Sequence, residues 1–244
     1  MLKTLLASGR HAATALVASL LCAAPARAAS LEVSPVVIEA PPGQSTTTLR
    51  VTNAGTSTTQ VQVRGFAWSQ TATGDELAPT SEILLSPPIF AVPPGQTQVV
   101  RLLLRPRGGA EKERAFRLLI DEIPSPAAGV VNVALRISVP AFVAAQGSAA
   151  PDLHWRTEGQ GPALQLVLAN TGRRRARVNE LLAGLPSGQR LTPKLLETNP
   201  YVLPGGERRW TLGALARPLS SGAALQLSGK TDVGALNVAL QPSR

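Results

Sequence analysis

Few side chains in this sequence are equipped for covalent chemistry, and their spacing argues against it. There are two histidines, His11 and His154, and one cysteine, Cys22. A nucleophilic triad needs a hydroxyl, an imidazole and a carboxylate in one place. His11 and Cys22 fall in a leader described below, and no G-x-S-x-G turn accompanies His154, which reads as a surface histidine. Asp121 and Glu122 are neighbours in a strand-like run, so their carboxylates face opposite sides and cannot share one bond. Zinc lacks a ligand set, and no glycine-rich loop opens a helix to cradle phosphate. The expectation is a protein that is not an enzyme, uses no metal or cofactor and has no small-molecule substrate. The densest charge run, Arg173-Arg174-Arg175 with Arg177, follows the turn signature Asn170-Thr171-Gly172 and is expected on a solvated hairpin tip. Aromatic content of 3% leaves few platforms for stacking bases, so no nucleic-acid partner is expected.

What remains is the chemistry of surfaces, and one stretch stands out for it. In GVVNVALRISVPAFVAAQ, Gly129 to Gln146, Val131, Val133, Leu135, Ile137 and Val139 alternate with Asn132, Ala134, Arg136 and Ser138. A period of two, rich in β-branched residues, predicts a half-buried strand that ends at Pro140. Taken alone, that face serves its own core or is offered to another chain.

The elements that would position this strand follow from composition. Lys3 and Arg10, an apolar run from Ala12 to Ala24 and Ala26-Arg27-Ala28 form a secretory leader, residues 1–28, with cleavage before Ala29. The formal charge of +9 loses Lys3, Arg10 and Arg27 with the leader, and 9 − 3 leaves +6. Cys22 also goes, so no disulfide is expected in the exported chain. Twenty-one prolines and 21 glycines punctuate short apolar runs, which predicts an all-β protein built of sandwiches.

Strands are predicted at Leu31–Ile38, Thr46–Asn53, Gln60–Trp68, Ile83–Ser86, Gln98–Arg105, Ala115–Glu122 and Val130–Val139, a spacing that suits an immunoglobulin-like sandwich. The small, proline-marked QGSAAPD, Gln146 to Asp152, divides a domain over 29–146 from a second over 147–244. The second offers strands at Leu164–Leu168, Ala176–Leu182, Leu191–Leu196, Arg209–Leu215, Ala223–Ser228 and Leu236–Leu240. Pro-Pro-Gly or Pro-Gly-Gly turns at 41–43, 93–95 and 204–206 each lead into a strand, which is ordinary β-turn chemistry.

With these residues in view, the chain resembles the periplasmic chaperones of the chaperone–usher pathway, the PapD-like family. The likeness rests on SLEVSPVVIE before PPGQ, the Asn53-Ala54-Gly55 turn, PPGQTQVVRL, and ERAFRLLIDEIP followed by NVALRISVPAFV. It implies a boomerang of two immunoglobulin-like domains in the periplasm. It also implies that pilus or fimbrial subunits and an outer-membrane usher are the partners, with Val131, Val133, Leu135, Ile137 and Val139 as the strand donated to the subunit. Family positions that hold the subunit's carboxylate correspond to Pro35 and Pro140, which leaves Arg136 or Arg117 as candidate anchors. Glu113 and Asp232 match acids of an interdomain charge network whose usual arginine position is Ala144. Arg101 matches an arginine on the first domain, either an usher contact or a strand charge. The competing reading is a secreted immunoglobulin-like structural or adhesive protein whose last strand stays in its own core.

Overall fold

The structure, a computed structural model, describes residues 31–71, 74–105, 110–124, 134–160, 163–185, 187–196, 199–212 and 224–241. Ten strands lie between Leu31 and Val143: β1 (Leu31–Ser34), β2 (Ile38–Ala40), β3 (Thr46–Asn53), β4 (Thr59–Thr71), β5 (Gly74–Pro79), β6 (Ile83–Ser86), β7 (Ile89–Val92), β8 (Thr97–Leu104), β9 (Arg114–Ile123) and β10 (Arg136–Val143). One sheet runs β1-β3-β8-β6; the other runs β2-β10-β9-β4-β5, with β7 added on β4. Alternation along each strand sends Leu49, Val51, Val100 and Leu102 from the first sheet against Val61, Val63, Leu118 and Ile120 from the second, all fully buried.

A second pair of sheets uses β11 (Leu153–Glu158), β12 (Gln165–Asn170), β13 (Ala176–Gly184), β14 (Arg190–Leu191), β15 (Lys194–Leu195), β16 (Tyr201–Val202), β17 (Glu207–Thr211), β18 (Leu225–Thr231) and β19 (Gly234–Leu240). Its sheets run β11-β12-β17-β15 and β14-β13-β18-β19, with β16 on β13. Leu166, Leu168, Trp210, Leu225 and Leu227 fill the space between them. The chain is thus all-β, with two immunoglobulin-like sandwiches.

Three departures from the strands expected of the first sandwich have plain causes. The run Leu31–Ile38 is two strands in different sheets, because Pro35 interrupts the ladder and lets the chain cross the edge of the sandwich. β5 carries no apolar alternation to betray it, since nearly every residue in it is exposed. β10 does not stop at Pro140 but runs on to Val143 in antiparallel register with β9, Pro140 lying opposite Arg117. Proline is tolerated there because of which way its missing donor points. Glu122 N donates to Leu135 O, so the odd-numbered residues of β10 bond β9 and the even-numbered ones point outward.

The two sandwiches repeat one corner. Asn53 and Asn170 are both buried, and each takes its own carboxamide oxygen to the amide two residues on, at Gly55 and Gly172. Each Nδ2 donates to two carbonyls, Ser57 and Val92 in one case, Arg174 and Val202 in the other. The backbone oxygens of the asparagines accept from Gly95 and Gly205, both of which adopt the positive φ of the Pro-Gly turns.

Candidate functional site

β10 is the strand of interest, and its neighbours differ along its length. β9 pairs with all of it, but β2 pairs in parallel only with Ala141–Val143. Among the described residues nothing bonds the outer edge of Arg136–Pro140. By the alternation just described, the N–H groups of Arg136 and Ser138 and the carbonyls of Arg136, Ser138 and Pro140 point off that edge, and Pro140 has no N–H to leave unpaired. An open edge of this kind is a template for another strand.

The side chains above it grade from core to rim. Val139 is buried in the first core, whereas Leu135 and Ile137 are half-buried and pack against its margin. Val131 and Val133 lie outside the described residues. On the opposite face, the two candidate cations have different company. Arg136 is exposed and paired with Asp121, which also takes a 2.7 Å bond from Arg64. Burial pushes the Asp121 carboxyl up, but the two guanidinium hydrogen bonds outweigh it and hold the group below the usual range.

Arg117, half-buried, stacks over the Trp68 ring at 3.8 Å and has no ion-pair partner among the described residues. Desolvation lowers its pKa, opposed by attraction to Asp75. It lies one strand in from the open edge and level with its end at Pro140.

Trp68 is itself part of the joint between the sandwiches. It packs with Phe142 from β10 and with Tyr201 and Leu203 from the second sandwich; the Trp68 and Tyr201 rings meet edge-on at 6.1 Å. Gln70 imitates a strand across the joint, donating to Tyr201 O at 3.0 Å and accepting from Leu203 N at 2.9 Å. Beside it, Asp75 is held by Arg208 and Asn199.

The arginine run expected on a solvated tip instead supplies the other half of the joint. Arg175 is buried, bonds Glu113 at 2.5 Å and also pairs with Glu39, while its guanidinium lies 3.7 Å from the Phe142 ring centre. Burial raises the Glu113 pKa against the pull of Arg175. Arg173 reaches the carbonyls of Glu111 and Gln146. The charge partner of Glu113 thus comes from the second sandwich rather than from position 144. Asp232 is elsewhere in this scheme, accepting from the amide of Arg177. A cleft of about 590 Å³ between the sandwiches includes Arg175, Arg177, Glu39 and Asp232 in its walls, so its charges balance. Arg101 is exposed on the outer face of the first sheet, between Thr48 and Ser86 and near the exposed Val99 and Leu103.

This geometry, an immunoglobulin-like sandwich with an open last strand joined to a second sandwich, has known relatives. Residues 30–148 match the family of pili and flagellar-assembly chaperones, PapD N-terminal domain. The first sandwich is a PapD-type N-terminal domain. No curated protein matches it by sequence. Among solved structures, a chain of the CsuC–CsuE chaperone–tip adhesion subunit pre-assembly complex, from the archaic chaperone–usher Csu pili of Acinetobacter baumannii, is 22% identical with a TM-score of 0.66, covering 88% of this chain and 100% of its own. The E. coli chaperone DraB is 17% identical, with a TM-score of 0.58 and coverage of 90% and 100%. A chain of the Salmonella enterica SafA pilin–SafB chaperone complex is 15% identical, with a TM-score of 0.58 and coverage of 90% and 98%. At these identities the likeness extends the PapD-like fold over both sandwiches of this divergent member.

Proposed function

We propose that the protein is a periplasmic chaperone that holds pilus or fimbrial subunits by lending them a strand and passes them to an outer-membrane usher. The observation that carries this reading is the open edge at Arg136–Pro140 with Leu135 and Ile137 half-exposed above it. A subunit lacking one strand of its own sandwich exposes an apolar groove and unpaired backbone groups, and this edge answers both. Val131, Val133, Leu135 and Ile137 are the side chains lent, and Val139 stays with the core. Four aliphatic side chains at roughly 1.5–3 kcal/mol each give on the order of 10 kcal/mol before association costs, enough to hold a subunit and still release it.

Of the two candidate anchors, Arg117 suits the subunit's terminal carboxylate better, because Arg136 already shares Asp121 with Arg64 whereas Arg117 has no ion-pair partner among the described residues. A strand added parallel to β10 ends near Pro140, with Arg117 opposite that residue on the next strand in. Arg101, with Val99, Leu103 and Leu84 around it, forms the basic and apolar face for the usher.

The test is co-expression with a strand-deficient pilus subunit, comparing wild type with Leu135→Asp/Ile137→Asp. Loss of soluble complex from a variant that keeps its circular dichroism supports strand donation. An undiminished complex moves the binding site off β10.

A further inference from the structure

A sheet edge left bare invites another strand, and the edges of this molecule differ in how they are guarded. β1, β6 and β7 are four residues long, β2 is three, and β14, β15 and β16 are two. β5 carries Asp75, Glu76 and Pro79, and β11 carries His154, Arg156 and Glu158. β19 has none of these protections. Its seven residues, GALNVAL, hold no charge and no proline and keep an unbroken register with β18. Among the described residues nothing pairs with its outer side.

The turn at the start of β19 fixes which backbone groups face outward. Thr231 is paired with Gly234 across the two residues Asp232 and Val233, and such a turn closes on a pair that exchanges both backbone hydrogen bonds. Bonded positions then recur at Leu236, Val238 and Leu240, so the N–H and C=O groups of Ala235, Asn237 and Ala239 point off the sheet. Around Asn237 the sequence reads the same in kind from both ends: alanine, aliphatic, asparagine, aliphatic, alanine. A second copy laid antiparallel about Asn237 sets Ala235 against Ala239, Leu236 against Val238 and Asn237 against itself. All three outward-facing residues then fall in hydrogen-bonded pairs. Leu236 and Val238, half-buried at the margin of the second core, are covered by their counterparts. Asn237 Oδ1 accepts from Gln226 Nε2 at 2.6 Å, which leaves Asn237 Nδ2 to donate to the other copy.

We propose that β19 is a self-association edge: two copies of this chain pair antiparallel through Ala235–Ala239 about a two-fold axis at Asn237, joining their second sandwiches through one continuous sheet. The contact is isologous, so it closes at two copies, and it is small, so association is weak and concentration-dependent. β10 belongs to the first sandwich and takes no part in it.

The test is sedimentation equilibrium of the purified protein from micromolar to near-millimolar concentration, where wild type is expected to show a reversible monomer–dimer equilibrium. Ala235→Lys/Ala239→Lys sets like charges opposite one another twice and is expected to weaken the dimer by about tenfold. Ala235→Lys/Ala239→Glu sets opposite charges in the same two places and is expected to match or exceed wild type. Both positions are exposed, and circular dichroism checks that the fold is kept. Should a double variant fail to fold, Asn237→Lys brings two lysines together on the axis and is expected to weaken the dimer in the same way. A protein that stays monomeric throughout, or a dimer that forms alike in both charge variants, overturns the proposal. So does a dimer lost in Leu135→Asp/Ile137→Asp, which would place the contact at β10.

Discussion

Removing the guanidinium of Arg175 should cost more than most single changes in this molecule, and the cost should depend on pH. Arg175 and Glu113 are 5% and 8% exposed, and the pair spans the two sandwiches. Arg175→Met strands a carboxylate in a dry site, for which about 3–5 kcal/mol is the usual penalty. Burial already raises the Glu113 pKa in the wild type, and every opposing influence on it comes from Arg175 and Arg174. Without Arg175 the folded-state pKa climbs further. Because the folded state then holds a proton that the unfolded state has released, stability falls as pH rises from the ordinary glutamate value through the raised one. The deficit of Arg175→Met is therefore smaller at about pH 4 than at about pH 7.5. Urea unfolding at several pH values, with wild type alongside, measures this. Glu113→Gln in the same chain should recover about half of the loss, since a neutral amide tolerates the site. A deficit that is the same at both pH values, or below about 1 kcal/mol throughout, would refute the buried-pair argument.

Gly206→Ala places a methyl group 2.5 Å from Gln70 Oε1 and 2.8 Å from Gln70 Cβ, which pushes the β4–β5 hairpin off the second sandwich. It should cost roughly 1–3 kcal/mol in denaturant unfolding and increase the angular spread between sandwiches in small-angle scattering. Asp121→Asn should flatten the acid limb of the stability profile: the lowered carboxyl contributes stability above its ordinary value and loses it as pH falls through the folded one. With both partner arginines well exposed, the effect is about 1 kcal/mol in thermal melts across that range. Arg101→Glu should leave subunit recovery intact while reducing transfer to usher-containing membranes; equal recovery in both steps assigns Arg101 to the strand alone.

The β-rich architecture was readable because its strands keep an alternation that local sequence displays. Leu49-Arg50-Val51 and Val100-Arg101-Leu102 announce both their period and their buried face. The open edge was only half readable. Alternation marks Leu135 and Ile137 as one face of a strand, but that β2 stops at residues pairing with Ala141 is a fact of registry between segments a hundred residues apart. The joint was not readable at all. Arg175 is chemically identical to Arg173 and Arg174 beside it, and its acids, Glu113 and Glu39, are 62 and 136 positions away. Composition sends all three arginines to solvent; only the assembled corner shows that one of them faces inward.

The repeated asparagine corner carries different side chains in its two copies. Residues three to five after Asn53 are Thr56, Ser57 and Thr58; the same places after Asn170 are Arg173, Arg174 and Arg175. The asparagine bonds that present them are the same in both copies, while in the second the Arg173 carbonyl also accepts from Glu113 N across the joint. Beside the Gln70 and Trp68 contacts, the side chains of this corner set the strength of the connection, which substitutions there can tune while each sandwich keeps its own fold.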